Sequence, residues 1–335
     1  MRLIMKLATI ILVLLVSCTS NDPIGSDQLN IEPVLLSLLN DDSALGMDGF
    51  GSNGDMDLDH EVGLESESEL GRLLSDTLLY GQGYRVRFGR RISDKERSVE
   101  FEIDGDTAIG SITYNIMGEF IVRVIDTTNL ELIDSLGFSK EFSSYFYRNI
   151  RFVKEENLNS PEGYSWEIDA MTPLTGGTGD KVNISNVSVY ALDSLLQIEE
   201  LLYSFDIDES GELYIDRDNL PSYTSFDKIL IQAEVINNGP EFTMDNSGVG
   251  EWVFINYGRS SMQRGRKRLQ DLGLSFDQVA NDNIHSGAMR VHGPGPNQVR
   301  GIFRTFYETI DLATLFVSDG GYNTSVWSIP YVVER

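Results

Sequence analysis

The chain reads as mainly β, with a helix-led α+β unit in its first half and an antiparallel β-sandwich in its second. Three observations predict this. Apolar and polar residues alternate with period two in many short runs after residue 98, as in Val99-Glu100-Phe101-Glu102-Ile103-Asp104. Helical spacing is concentrated earlier, notably at Leu70, Leu73, Leu74, Leu78 and Leu79. Glycine- or asparagine-bearing turn signals separate the alternating runs, which is the grammar of successive antiparallel strands.

Size and charge bound the function classes. With 335 residues and 41% apolar content, the chain can bury one large or two ordinary cores and is no disordered polymer. Its 26 Lys and Arg against 52 Asp and Glu leave a formal charge of −26, which repels phosphates and argues against nucleic acid as a partner. One cysteine forms no internal disulfide, and three histidines leave little for a His-rich zinc site.

Residues 1–17 carry Arg2 and Lys6, an apolar run from Leu7 to Val16, and then Ser17, which is the pattern of a signal peptide rather than a membrane span. Leu15-Val16-Ser17-Cys18 resembles the lipobox of bacterial lipoproteins. The resemblance implies that Cys18 is acylated, becomes the first residue of the mature chain and anchors it in the cell envelope. A lone thiol elsewhere in an exported protein would be an oxidation liability, and here the only cysteine stands at the acylation position. Thr19-Ser20-Asn21 lacks the aspartate that retains lipoproteins in the inner membrane of some enteric bacteria, so the outer membrane is favoured. No later run reaches the roughly 18 apolar residues of a spanning helix, which leaves the lipid as the membrane anchor.

Residues 18–69 form an acidic tether and loop segment: from Thr19 to Gly71 there are thirteen acids and no Lys or Arg, with a short apolar helix at 33–39. Residues 70–173 form the α+β unit, in which the leucine-spaced helix is followed by strands at 98–104, 107–126, 149–153 and 164–169, and Gly105 turns the first pair. Gly105-Asp106-Thr107-Ala108 opening a long strand and Tyr164-Ser165-Trp166-Glu167-Ile168 closing the unit resemble the NTF2-like cone fold, which implies a pocket able to hold a small molecule. Thr172 to Gly179 has the composition of a linker or long turn, and the boundary between the two units is expected there. Residues 178–335 then give nine short strand runs, among them 312–317, with helical signal at 192–202 and 263–272.

Asp271, Gly273, Asp277, Ala280 and Asp282 follow the strand Trp252-Val253-Phe254-Ile255. They resemble the D-x-G-x-x-x-D-x-x-A-x-D segment of Ig-like domains in bacterial surface proteins, which implies an Ig-like sandwich here. That family usually places Gly where Asn283 stands and often where Asn281 stands, so left-handed turns must rest on asparagine. Asp271, Asp277 and Asp282 either cap backbone amides or hold calcium, and Asp55, Asp57 and Asp59 offer a second set of hard oxygen ligands. Asp206 to Gly211 imitates half a calcium loop but reads better as a hairpin.

Arg85, Arg87, Arg90 and Arg91 open a stretch of six cations in thirteen residues, a candidate site for an anionic glycan or lipid headgroup. Arg259, Arg264, Arg266, Lys267 and Arg268 form a second group. His285 and His292 have no evident catalytic companions, and no Gly-x-Ser-x-Gly elbow or phosphate-cradling glycine loop is present. The functional expectation is a lipid-anchored, non-enzymatic envelope protein that binds a protein or glycan. The alternative is a small-molecule binder or enzyme using a pocket of the first unit.

Overall fold

The computed structural model describes residues 31–47, 50, 62–63, 84–126, 131, 137–179, 181–206, 213–243, 248–260, 263–295 and 297–335. The signal segment with Cys18, the acids Asp55, Asp57 and Asp59, the expected helix at 65–80 and the turn at 207–212 lie outside the described residues.

Helix α1 (Ile31–Asp41) buries Leu35 and Leu39, four residues apart on one face. Strand β1 (Val62–Gly63) pairs with β2 (Tyr84–Asp104), and β2, β3 (Thr107–Asp126) and β4 (Phe138–Glu156) form a long antiparallel meander. Gly105, at φ 62°, makes the turn between β2 and β3 as its neighbours Asp104 and Asp106 suggest. Gly118 lets β3 run unbroken past the bulge at Ile92/Asp94, since a Cβ there would lie 2.2 Å from the Arg91 carbonyl oxygen.

β5 (Tyr164–Met171) and β6 (Leu174–Gly177) pair in turn with the other edge of β4. The expected linker is therefore a strand. Its glycines serve close packing rather than flexibility: a Cβ on Gly176 would sit 2.1 Å from the Tyr145 carbonyl oxygen, and one on Gly177 2.0 Å from that of Thr324. The sheet is continuous through the 173–178 junction.

Then follow β7 (Val182–Leu192), β8 (Ile198–Asp206), β9 (Ile215–Asp216), β10 (Ser222–Thr224), β11 (Lys228–Asn237), β12 (Glu251–Ser260), β13 (Gln263–Leu269), β14 (Ile284–Arg290), β15 (Arg300–Asp311), the short helix α2 (Leu312–Phe316) and β16 (Thr324–Glu334). They complete a twelve-stranded sheet with the main order β1-β2-β3-β4-β6-β16-β15-β12-β13 and a four-stranded sheet β14-β11-β7-β8. The fold is mainly β, and the two sheets pack as a sandwich in which β7 and β11 lie over β15 and β16. Ile184, Val187, Val189, Ile229, Ile231 and Ala233 meet Tyr307, Trp327 and Ile329 in one apolar core. β16 is buried on both faces, which its near-continuous Val-Trp-Ser-Ile-Pro-Tyr-Val-Val run allows. Pro330 falls between the stretches paired with β6 and with β10, where its missing N–H removes no ladder bond on that side.

The large sheet also curls on itself. β2 and β12 are separated in the order by β3, β4, β6, β16 and β15, yet the rings of Phe88 and Phe254 lie 5.6 Å apart. The enclosed face is filled by Phe88, Phe120, Phe146, Phe254 and Phe306, and by α1 with Ala44, Leu45, Met47 and Phe50. Phe50 stacks on Phe306 with ring centroids 5.0 Å apart.

Three local expectations are corrected. Residues 192–202 form a hairpin rather than a helix, because the Asp193 carboxylate accepts from the Leu195 and Gln197 amides and Leu196 turns at φ 64°. Residues 263–269 are strand, and Arg266 and Arg268 reach the same face to cover Phe254 and Trp252. Residues 312–316 are helix instead of strand, since a short run buried on all sides carries no period that separates the two.

Candidate functional site

The aspartate loop is built from the end of β13. Gln270 and Ser286 exchange both backbone hydrogen bonds, tying β13 to β14 across the two sheets. The loop between them folds round its own carboxylates. Asp271, 2% exposed, accepts from the amides of Asp282 at 3.2 Å and Asn283 at 3.0 Å. Asp277, 4% exposed, accepts on one oxygen from the amides of Leu272 and Gly273. Asp282 accepts from the Ile284 amide at 3.0 Å. Asn281 and Asn283 stand at φ 57° and 67°, the left-handed turns that the absence of glycine placed on asparagine.

One ligand oxygen from each of Asp271, Asp277 and Asp282 lies within 4.8 Å of the others, so these three could hold a hard cation. Burial raises the Asp271 carboxyl above its ordinary range, against the pull of nearby His285. The His285 ring contacts the Glu251 carboxylate at 3.1 Å, and Asn237 joins Glu251 at 2.9 Å to Asp311 at 3.2 Å. Asp311 is in turn 3.3 Å from Lys181. A polar seam thus runs from the loop into the sandwich.

Of the candidate arginines on β2, Arg90 and Arg91 do not share one surface. Arg90 points into the curled sheet, where it pairs with Glu308 and donates to the Tyr322 hydroxyl. Arg266 reaches the same carboxylate at 3.2 Å, and Asn256 Nδ2 donates to it at 3.5 Å. Burial pushes the Glu308 carboxyl up, but Arg90 and then Arg266 outweigh it and hold it below its usual value. Arg91 is exposed, pairs with Glu119 at 2.9 Å and borders an open groove of about 810 Å³. Arg87 is half-buried, and Arg85 is placed by its backbone register opposite Ile125.

Sequence reasoning missed Glu308, an acid in the apolar run Phe306-Tyr307-Glu308-Thr309-Ile310, where an isolated charge was the available signal. It also missed Arg148, 1% exposed, whose guanidinium donates to the carbonyls of Leu45 at 3.4 Å and Ser328 at 3.2 Å.

A further cleft of about 560 Å³ lies where the β10–β11 turn meets the loop after β14. Ser225, Phe226, His292, Gly293, Pro294 and Arg335 line it. The His292 Nδ1–H donates to the Gly293 carbonyl at 2.8 Å, so Nε2 accepts from the Tyr331 hydroxyl at 2.7 Å. Tyr331 in turn accepts the Gly258 amide at 2.9 Å. Burial lowers the His292 pKa, in accord with a neutral ring whose two nitrogens are both engaged.

No family model matches the chain. No curated protein matches it. Among solved structures, a multidomain portion of extended synaptotagmin 2 aligns over 90% of this chain and 92% of its own length at 8% identity, with a TM-score of 0.09. That score carries no argument about fold or function.

Proposed function

We propose that the protein is a bacterial envelope lipoprotein, acylated at Cys18 and held at the outer membrane, whose β-sandwich is a non-enzymatic module for binding or for structure. The observation that carries the reading is Leu15-Val16-Ser17-Cys18, which places the only cysteine of 335 residues directly after an apolar leader and before an acidic tether. The partner is an envelope protein or glycan. The face on which the alternative reading needs a pocket is packed, among the described residues, with phenylalanines and with α1. Growth with an alkyne fatty acid should label the wild type and leave a Cys18→Ala variant unlabelled and unprocessed. Label on the variant would defeat the anchor, and fractionation decides which membrane carries the protein.

A further inference from the structure

The cleft beside Phe226 holds an aromatic residue that neither conformation nor packing requires. Phe226 stands at φ 74°, a left-handed backbone that strains a non-glycine residue and that glycine adopts freely. Burial could offset such strain, yet Phe226 is 58% exposed. Its ring lies 4.7 Å from the Arg290 guanidinium, and Arg290 Nε donates to its carbonyl at 3.3 Å. An exposed cation–π contact is weak and does not outweigh the strain of that backbone.

Arg290 is the second unexplained group. In a chain with twice as many acids as bases, it forms no ion pair among the described residues. The cleft therefore offers an exposed ring, the buried Pro294 beside it and Arg335 in the lining, while the exposed Arg290 guanidinium, outside the lining itself, lies against that ring. Gly293 and Gly295 have no side chains to cover the main chain, and Ser225 adds a hydroxyl. Both His292 nitrogens are engaged, so the cleft has no free imidazole base and suits binding rather than proton transfer.

We infer that this cleft binds a saccharide bearing a carboxylate or sulfate. One pyranose stacks its C–H face on Phe226, its hydroxyls meet Ser225 and the glycine main chain, and its anion meets Arg290. The inference deepens the binding-module reading and rests on it, whereas acylation at Cys18 is tested separately and bears on neither result.

Calorimetry with the full chain in detergent, at fixed ionic strength, tests it with tetragalacturonate, a heparin-derived tetrasaccharide, maltotetraose and an acidic proline-rich peptide. At least one anionic saccharide should bind tenfold or more tightly than maltotetraose. Arg290→Gln should erase that preference. Phe226→Gly should weaken binding tenfold or more while its melting temperature stays level or rises, because glycine relieves the strain. Failure of both anionic saccharides, equal affinity for maltotetraose, unchanged binding by Phe226→Gly, or tighter binding of the peptide would each overturn the inference.

Discussion

The guanidinium of Arg90 and the carboxylate of Glu308 pair inside the curled sheet although 218 residues separate them in sequence. The pair joins β2 to β15, and Arg266 closes it from β13. A buried ion pair adds little over an apolar replacement of the same shape, but breaking one strands the survivors. Glu308→Ala leaves Arg90 and Arg266 without their shared carboxylate and should cost about 3–5 kcal/mol in urea unfolding. The Arg90→Met, Glu308→Leu double variant should lose clearly less than Glu308→Ala. Equal losses would mean that the region tolerates unpaired cations.

Residues 42–47 and Phe50 close the same interior. Phe50 stacks on Phe306, meets the edge of Phe146 with centroids 5.8 Å apart and lies under Arg90 at 5.1 Å. Arg304 donates to the Ser43 carbonyl, and Arg217 holds Asp42 at 2.6 Å. Phe50→Ala should therefore cost about 3–5 kcal/mol, as a core deletion does. A loss below about 1 kcal/mol, the scale of a surface change, would show that this segment merely rests on the sheet.

Much of this architecture was legible because period-two alternation survives wherever one face of a strand is buried, as at Val99-Glu100-Phe101-Glu102. Legibility failed where both faces are covered or where glycines pack. Leu312–Phe316 is buried throughout and carries no period, and Gly176 and Gly177 look like a linker until their neighbours' carbonyl oxygens are placed. At the aspartate loop the residue types sufficed, since Asp and Asn in a loop bind local amides and tolerate positive φ. The Phe226 cleft was illegible because its strain is a property of backbone angles, and the partners of Arg90 lie far along the chain.

The aspartates make a test of their own. Asp277→Ala leaves the Leu272 and Gly273 amides without their acceptor, so about 1–3 kcal/mol should be lost. Asp277→Asn, which keeps an acceptor oxygen, should lose less. With these carboxylates already serving amides, calcium should raise the melting temperature no more than magnesium at equal ionic strength. A rise specific to calcium would show the oxygens turning to a metal.

Lys140 carries a pH dependence with a defined sign. Its ammonium, enclosed near α2, donates to the carbonyls of Ala313 at 3.0 Å and Thr314 at 3.1 Å, with Gly321 at 3.5 Å. Burial lowers its pKa from 10.5 to about 8, against the attraction of Asp311. Below about 8 both the folded and unfolded chains hold the proton, and the cost of enclosing the charge is present in full. Between about 8 and 10.5 the unfolded chain holds more of it, so this group makes stability rise with pH. Lys140→Met has no such proton. Urea unfolding of the two proteins near neutral pH and again inside that window should show the difference moving in favour of the wild type. A difference that stays constant, or moves toward the variant, would place the ammonium in an environment as polar as water.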